Sequence, residues 1–154
     1  MPEIRFDDVD ALNAVAGRFS DWGSEVVVTQ ETIDRFAELT GDHQWIHVDV
    51  ERARRESPFG GPVAHGFLTL SLLPQLIPDG EVRIVGQVNA ANYGAERLRF
   101  MAPVPAGAAV HARTRLVRAD ARRRGTLVTS EVEVAVVGHE RPSLVYVMQI
   151  LYMG

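Results

Sequence analysis

The segment Gly66-Phe-Leu-Thr-Leu-Ser-Leu-Leu-Pro-Gln-Leu-Ile77 reads as a helix with almost no polar side. Phe67, Leu68, Leu70, Leu72, Leu73, Leu76 and Ile77 cover nearly its whole circumference, which predicts a central, buried helix. Pro74 has no amide to donate, which predicts a kink or shortening there, and Pro78-Asp-Gly80 predicts the helix end. Downstream the hydrophobic period changes. Val110, Ala112, Thr114 and Leu116 alternate with His111, Arg113, Arg115 and Val117, and Val128, Val132, Val134 and Val136 alternate with Thr129, Glu131 and Glu133. This predicts long strands at 108–119, 126–137 and 143–153, with turns at 120–125 and 138–142 and one buried face. Two more strands are expected at 82–89 and 95–100, joined by a turn at Asn92-Tyr-Gly94. One apolar helix followed by an antiparallel meander is an α+β arrangement, with the sheet wrapped around the helix.

Upstream, a short helix is expected at 8–17 and a strand at 24–29. A helix beginning at Thr29 places Ile33, Phe36, Ala37 and Leu39 at helical spacing and stops at Thr40-Gly41. One or two turns at 49–55 and a turn-rich loop at 58–63 lead to the central helix. At 154 residues, with no repeat or linker, a single domain over 1–154 is expected.

Composition narrows the function. A formal charge of −4 argues against a nucleic-acid binder. The absence of cysteine excludes disulfides, zinc–thiolate sites and a thiol nucleophile. No run approaches the roughly 18 apolar residues of a membrane span, and the acidic N-terminus lacks a signal-peptide pattern. A cytoplasmic location, with no membrane partner, is the expectation.

Chemistry concentrates just after Thr40-Gly41, where Asp42 and His47 stand five residues apart. That is too far for one helical face. A loop that folds back, however, brings both to one spot. Ala64-His65-Gly66 leads into the central helix, so a carboxylate, an imidazole and a helix-start amide are available beside a polarised carbonyl.

These two motifs resemble the MaoC-like (R)-specific enoyl-CoA hydratases, which have the hot-dog fold. The family pattern is an aromatic residue, Ser/Thr-Gly-Asp, a variable residue, Asn-Pro, an aliphatic residue and His. It is matched by Phe36 and Thr40-Gly41-Asp42-His43-Gln44-Trp45-Ile46-His47. Ala53 also fits, as do Ala64-His65-Gly66-Phe67 and the segment Arg99 to Val104 with Gly107. Gln44-Trp45 departs from Asn-Pro and resembles a bacterial subgroup that includes nodulation-protein-N-like sequences.

The resemblance implies hydration of a trans-2-enoyl thioester to an (R)-3-hydroxyacyl thioester. Asp42 and His47 would activate the water, and the Gly66 amide would polarise the thioester carbonyl. Expected around the substrate are Trp45 in the site wall, His65 orienting the loop by a hydrogen bond, Phe67 and Asn92. The implied partner is an acyl-CoA or acyl carrier protein thioester, and the implied assembly a homodimer. No cofactor is expected. No metal is expected either, since His43 and His47 have no evident third ligand. Two other readings are a hot-dog acyl-CoA thioesterase and a non-catalytic acyl-thioester binding protein. The first needs an acid early in the central helix, and none stands there.

Overall fold

A computed structural model describes residues 2–78 and 82–154, so the expected helix stop at Asp79-Gly80 lies outside the described residues. The chain order is β1 (Glu3–Arg5), α1 (Val9–Ala14), β2 (Val26–Val27), α2 (Gln30–Thr40), α3 (Trp45–Val48), α4 (Val50–Glu56), α5 (Gly66–Ser71), α6 (Leu73–Leu76), β3 (Arg83–Val85), β4 (Asn89–Phe100), β5 (Ala109–Arg122), β6 (Gly125–Val136) and β7 (Leu144–Met153). β2, β5, β6, β7 and β4, in that spatial order, form an antiparallel sheet. Its inner face packs Val110, Ala112, Val132, Val134, Val136 and Leu144 against Leu68, Leu73 and Leu76 of the central helical segment. This is the expected α+β hot-dog arrangement.

The break expected at Pro74 is present, and three other local expectations need correction. The central helix divides at Leu72, two residues before Pro74. Pro74 then occupies the first turn of α6, where its missing amide costs least. That helix is also not buried all round, because the sheet covers one side only and leaves Phe67 64% exposed. The expected turn at Asn92-Tyr-Gly94 is a bulge inside the continuous strand β4, with register shifts between Asn92 and Gly94 and between Ala95 and Arg97. Residues 83–85 leave the main sheet and pair in parallel with β1.

The sheet is also closed on more of its outer face than alternation predicts. Thr129, Glu131 and Ala135 of β6 are buried along with the inward valines. Arg113 and Arg115 lie over them, paired with Glu133 at 2.6 Å and Glu131 at 2.5 Å. The Phe19 ring stacks under both guanidinium groups and the Trp22 ring under Arg113. Among the described residues, no helix is long and apolar enough to cross a membrane.

Candidate active site

Helix α2 delivers Asp42. Thr29 caps its start by accepting the Thr32 N–H at 3.1 Å. Gly41 ends it at φ 79°, a left-handed conformation that swings the chain off the helix axis immediately before Asp42. Oδ1 of Asp42 then accepts the Gln44 N–H at 3.3 Å, a turn that starts α3. His47 therefore sits on a single helical turn rather than on a loop. Gln30 Nε2 ties that turn to the start of α2 by donating to the His47 carbonyl oxygen at 2.7 Å.

The side chain of His47 is 7% exposed, and its Nδ1 lies 2.7 Å from the Val63 carbonyl oxygen. A carbonyl only accepts, so Nδ1 carries the proton and Nε2 keeps a bare lone pair. Burial pushes the His47 pKa below the ordinary imidazole value, and the neighbouring His65 acts in the same direction. The Val63 hydrogen bond and the Asp42 charge oppose them.

His65, 2% exposed, caps α5 through its backbone. Its Nε2 donates to the Asp42 carbonyl oxygen at 3.0 Å, so the hydrogen bond expected of His65 is present. Its ring stacks on His47 with centroids 3.9 Å apart and 25° between planes, and Phe36 tilts against it at 5.0 Å.

A carboxylate oxygen of Asp42 and one ring nitrogen each of His47 and His65 lie within 4.8 Å of one another. Two acceptors that each stand about 2.8 Å from one water oxygen are about 4.5 Å apart. The upper bound of 4.8 Å between Asp42 and His47 is compatible with one shared water. His65 supplies the third metal-ligand type that the sequence did not reveal, but the rings oppose a metal. An ion bound by both imidazoles lies in both ring planes, about 2.1 Å from each nitrogen. Two rings stacked face to face with only 25° between them have planes that meet well beyond that point.

A cavity of about 310 Å³ opens beside His47, lined by Ile46, Gly66, Thr69, Phe100 and Ser143 among others. Gly66 opens α5, whose first amides have no partner in the helix and whose N-cap offers no side-chain acceptor. A Cβ at Gly66 would come within 2.8 Å of two carbons of the Phe100 ring, so the packing of Phe100 alone favours glycine here.

The other expected contacts divide. Phe67 stands at the rim, edge-on to Phe100 at 5.8 Å. Trp45 does not line the cavity; its ring lies under the Arg52 guanidinium at 4.3 Å. Asn92 is eight residues from Phe100 along β4, about 26 Å at strand rise. Sequence reasoning missed Thr69, Phe100 and Ser143 as lining residues. Ser143 has one signal visible only in three dimensions: its hydroxyl is buried without a hydrogen-bond partner.

Residues 14–138 match the family model for the MaoC like domain. The chain is 48% identical over 145 residues to Nodulation protein N of Rhizobium leguminosarum bv. viciae, covering 94% of this chain and 88% of that one. It is 45% identical over 144 residues to 3-hydroxyacyl-thioester dehydratase Z of Mycobacterium tuberculosis (strain CDC 1551 / Oshkosh), covering 91% and 92%. The fold superimposes on the Monoamine oxidase regulatory protein from Archaeoglobus fulgius with a TM-score of 0.76 at 24% identity, covering 100% and 99%. With His47 and Gly66 lining one cavity, Asp42 and His65 close to His47, and the family model spanning most of its length, the chain belongs to the MaoC-like dehydratases, a family of hydro-lyases.

Proposed function

We propose that this protein adds water reversibly to a trans-2-enoyl thioester, giving the (R)-3-hydroxyacyl thioester. The observation that carries the reading is the spacing of Asp42 and the His47 ring, within 4.8 Å, beside the unpaired first amide of α5. Both groups accept hydrogen bonds, so they hold the two hydrogens of one water. As the water oxygen bonds to C3, one of its protons passes to this pair and C2 receives a proton on the same face. Base and relay roles are shared between Asp42 and His47, since both contact the same water. Electron density from the alkene moves to the thioester oxygen, where the Gly66 N–H stabilises the enolate; removing one such donor costs on the order of 10²–10³ in rate.

The acyl carrier is CoA or acyl carrier protein, and the site needs no metal. The active form is a homodimer: β4 has one hydrogen-bonding edge unpaired and its residues are exposed along almost its whole length. The test is absorbance of the enoyl-thioester band with crotonyl-CoA and longer trans-2-enoyl-CoAs, with the product alcohol assigned by a stereospecific coupled assay. Loss of the band with (R) product is the expected result. Thioester cleavage without hydration would overturn the reading.

A further inference from the structure

Among the described residues, four buried side-chain atoms lack a hydrogen-bond partner. Three of them, Gln30 Oε1, His65 Nδ1 and Ser143 Oγ, belong to residues that hold or line the active site. His65 is the most informative. A histidine kept only for packing would have both ring nitrogens satisfied or be replaced by an apolar residue; leaving one bare in the interior carries a desolvation cost. At position 65 the cost is tolerated because two other parts of the ring are in use. Its Nε2–H grips the Asp42 carbonyl oxygen, 23 residues away in sequence, at 3.0 Å. Its flat face lies on His47 at 3.9 Å. The next peptide N–H along the chain is that of Gly66.

We propose that His65 is the positioning residue of this site, fixing the Asp42 backbone with its Nε2–H and the His47 imidazole with its ring face. One side chain thereby sets the separation of the two groups that grip the water. The proposal rests on the hydratase reading. It explains why the position needs an imidazole: glutamine supplies a donor without a face, and phenylalanine a face without a donor. Burial does most to lower the His47 pKa; among the titratable neighbours His65 acts in the same direction and Asp42 opposes it. A changed residue 65 therefore alters where His47 titrates as well as where it sits.

The experiment uses the full chain and two substitutions, His65→Gln and His65→Phe. Each should lower kcat for crotonyl-CoA about 10- to 100-fold with KM within about 3-fold, because the water is displaced while the rest of the cavity still binds thioester. In both, the His47 imidazole followed by NMR should titrate at a different pH from the wild type, because its burial and its neighbours both change. A folded variant with wild-type kcat and unmoved His47 titration would overturn the proposal, as would losses in kcat that merely follow the fraction folded. If the wild-type chain hydrates no enoyl thioester, the functional reading fails, and the titration still decides the positioning role: a moved His47 supports it and an unmoved one overturns it.

Discussion

His47 Nδ1 donates to the Val63 carbonyl oxygen across 2.7 Å, and this contact leaves Nε2 as the only basic nitrogen of the ring. Burial then holds the pKa below the ordinary value of 6.5. An imidazole that must be neutral to accept a proton loses activity only when it is protonated. The acid limb of kcat/KM for hydration should therefore have its midpoint below 6.5. A pH–rate profile whose acid limb lies above that value would remove His47 from this role.

The same shift acts on folding. In the unfolded chain His47 takes up its proton near 6.5, and in the folded chain at lower pH. Between the two values the unfolded state binds more protons. The stability contribution is thus complete above 6.5 and declines as pH falls through it, by up to about 1.4 kcal/mol per pH unit. Urea unfolding of wild type and His47→Gln across pH 5–7 should show the steeper acid decline in the wild type. Equal slopes would show that the imidazole is not held neutral by the fold.

Asp42→Asn and His47→Ala should each lower kcat by about 10²–10⁴, and the double variant should be little worse than either, since both act on one water. Stability should separate them. Asp42 is exposed, and asparagine can still accept the Gln44 N–H, so its cost is small. His47→Ala leaves the Val63 carbonyl without its donor, a loss of about 1–3 kcal/mol. Multiplying losses in the double variant would instead place the two residues in separate steps.

Ser143 makes the opposite prediction for folding. Its hydroxyl is buried and unpartnered, so Ser143→Ala removes a desolvated group without breaking a bond. Thermal unfolding should show a melting temperature equal to the wild type or higher. A clear decrease would mean that the hydroxyl has a partner in solution, such as an ordered water.

Much of this site was legible because it is compact in sequence. Asp42, His47 and Gly66 fall within 25 residues, beside helix signals at Thr29 and Gly41 that the structure bears out. What escaped was long-range. The grip of His65 on Asp42 depends on how two segments cross, and no periodicity encodes it. Gly94 has the composition of a turn, yet a strand paired along its length to β7 absorbs it as a bulge. Trp45 sits two residues from His47, but one helical turn sends it under Arg52 and away from the cavity. Phe67 was expected to be enclosed by the sheet that covers Leu68; the helix shows its other side to solvent.

That uncovered side leads to the last prediction. β4 is an edge strand of 12 residues with its outer hydrogen-bonding groups unpaired, and Tyr93, Phe100 and, on α5, Phe67 are exposed near it. An unpaired edge of this length invites pairing with another strand, and a second copy of the chain presents the same edge for a two-fold contact. Sedimentation at micromolar concentration should give twice the mass of the chain. Hydrogen exchange should then distinguish strand pairing from association elsewhere. In a lone chain only the β4 amides that point at β7 are protected, roughly every second residue. In a dimer paired through β4, the outward-pointing amides are protected too, and their protection falls on dilution. A dimer whose outward β4 amides exchange freely would mean that the copies meet through another face, and a monomer at these concentrations would leave the rim at Phe67 and Phe100 open to water.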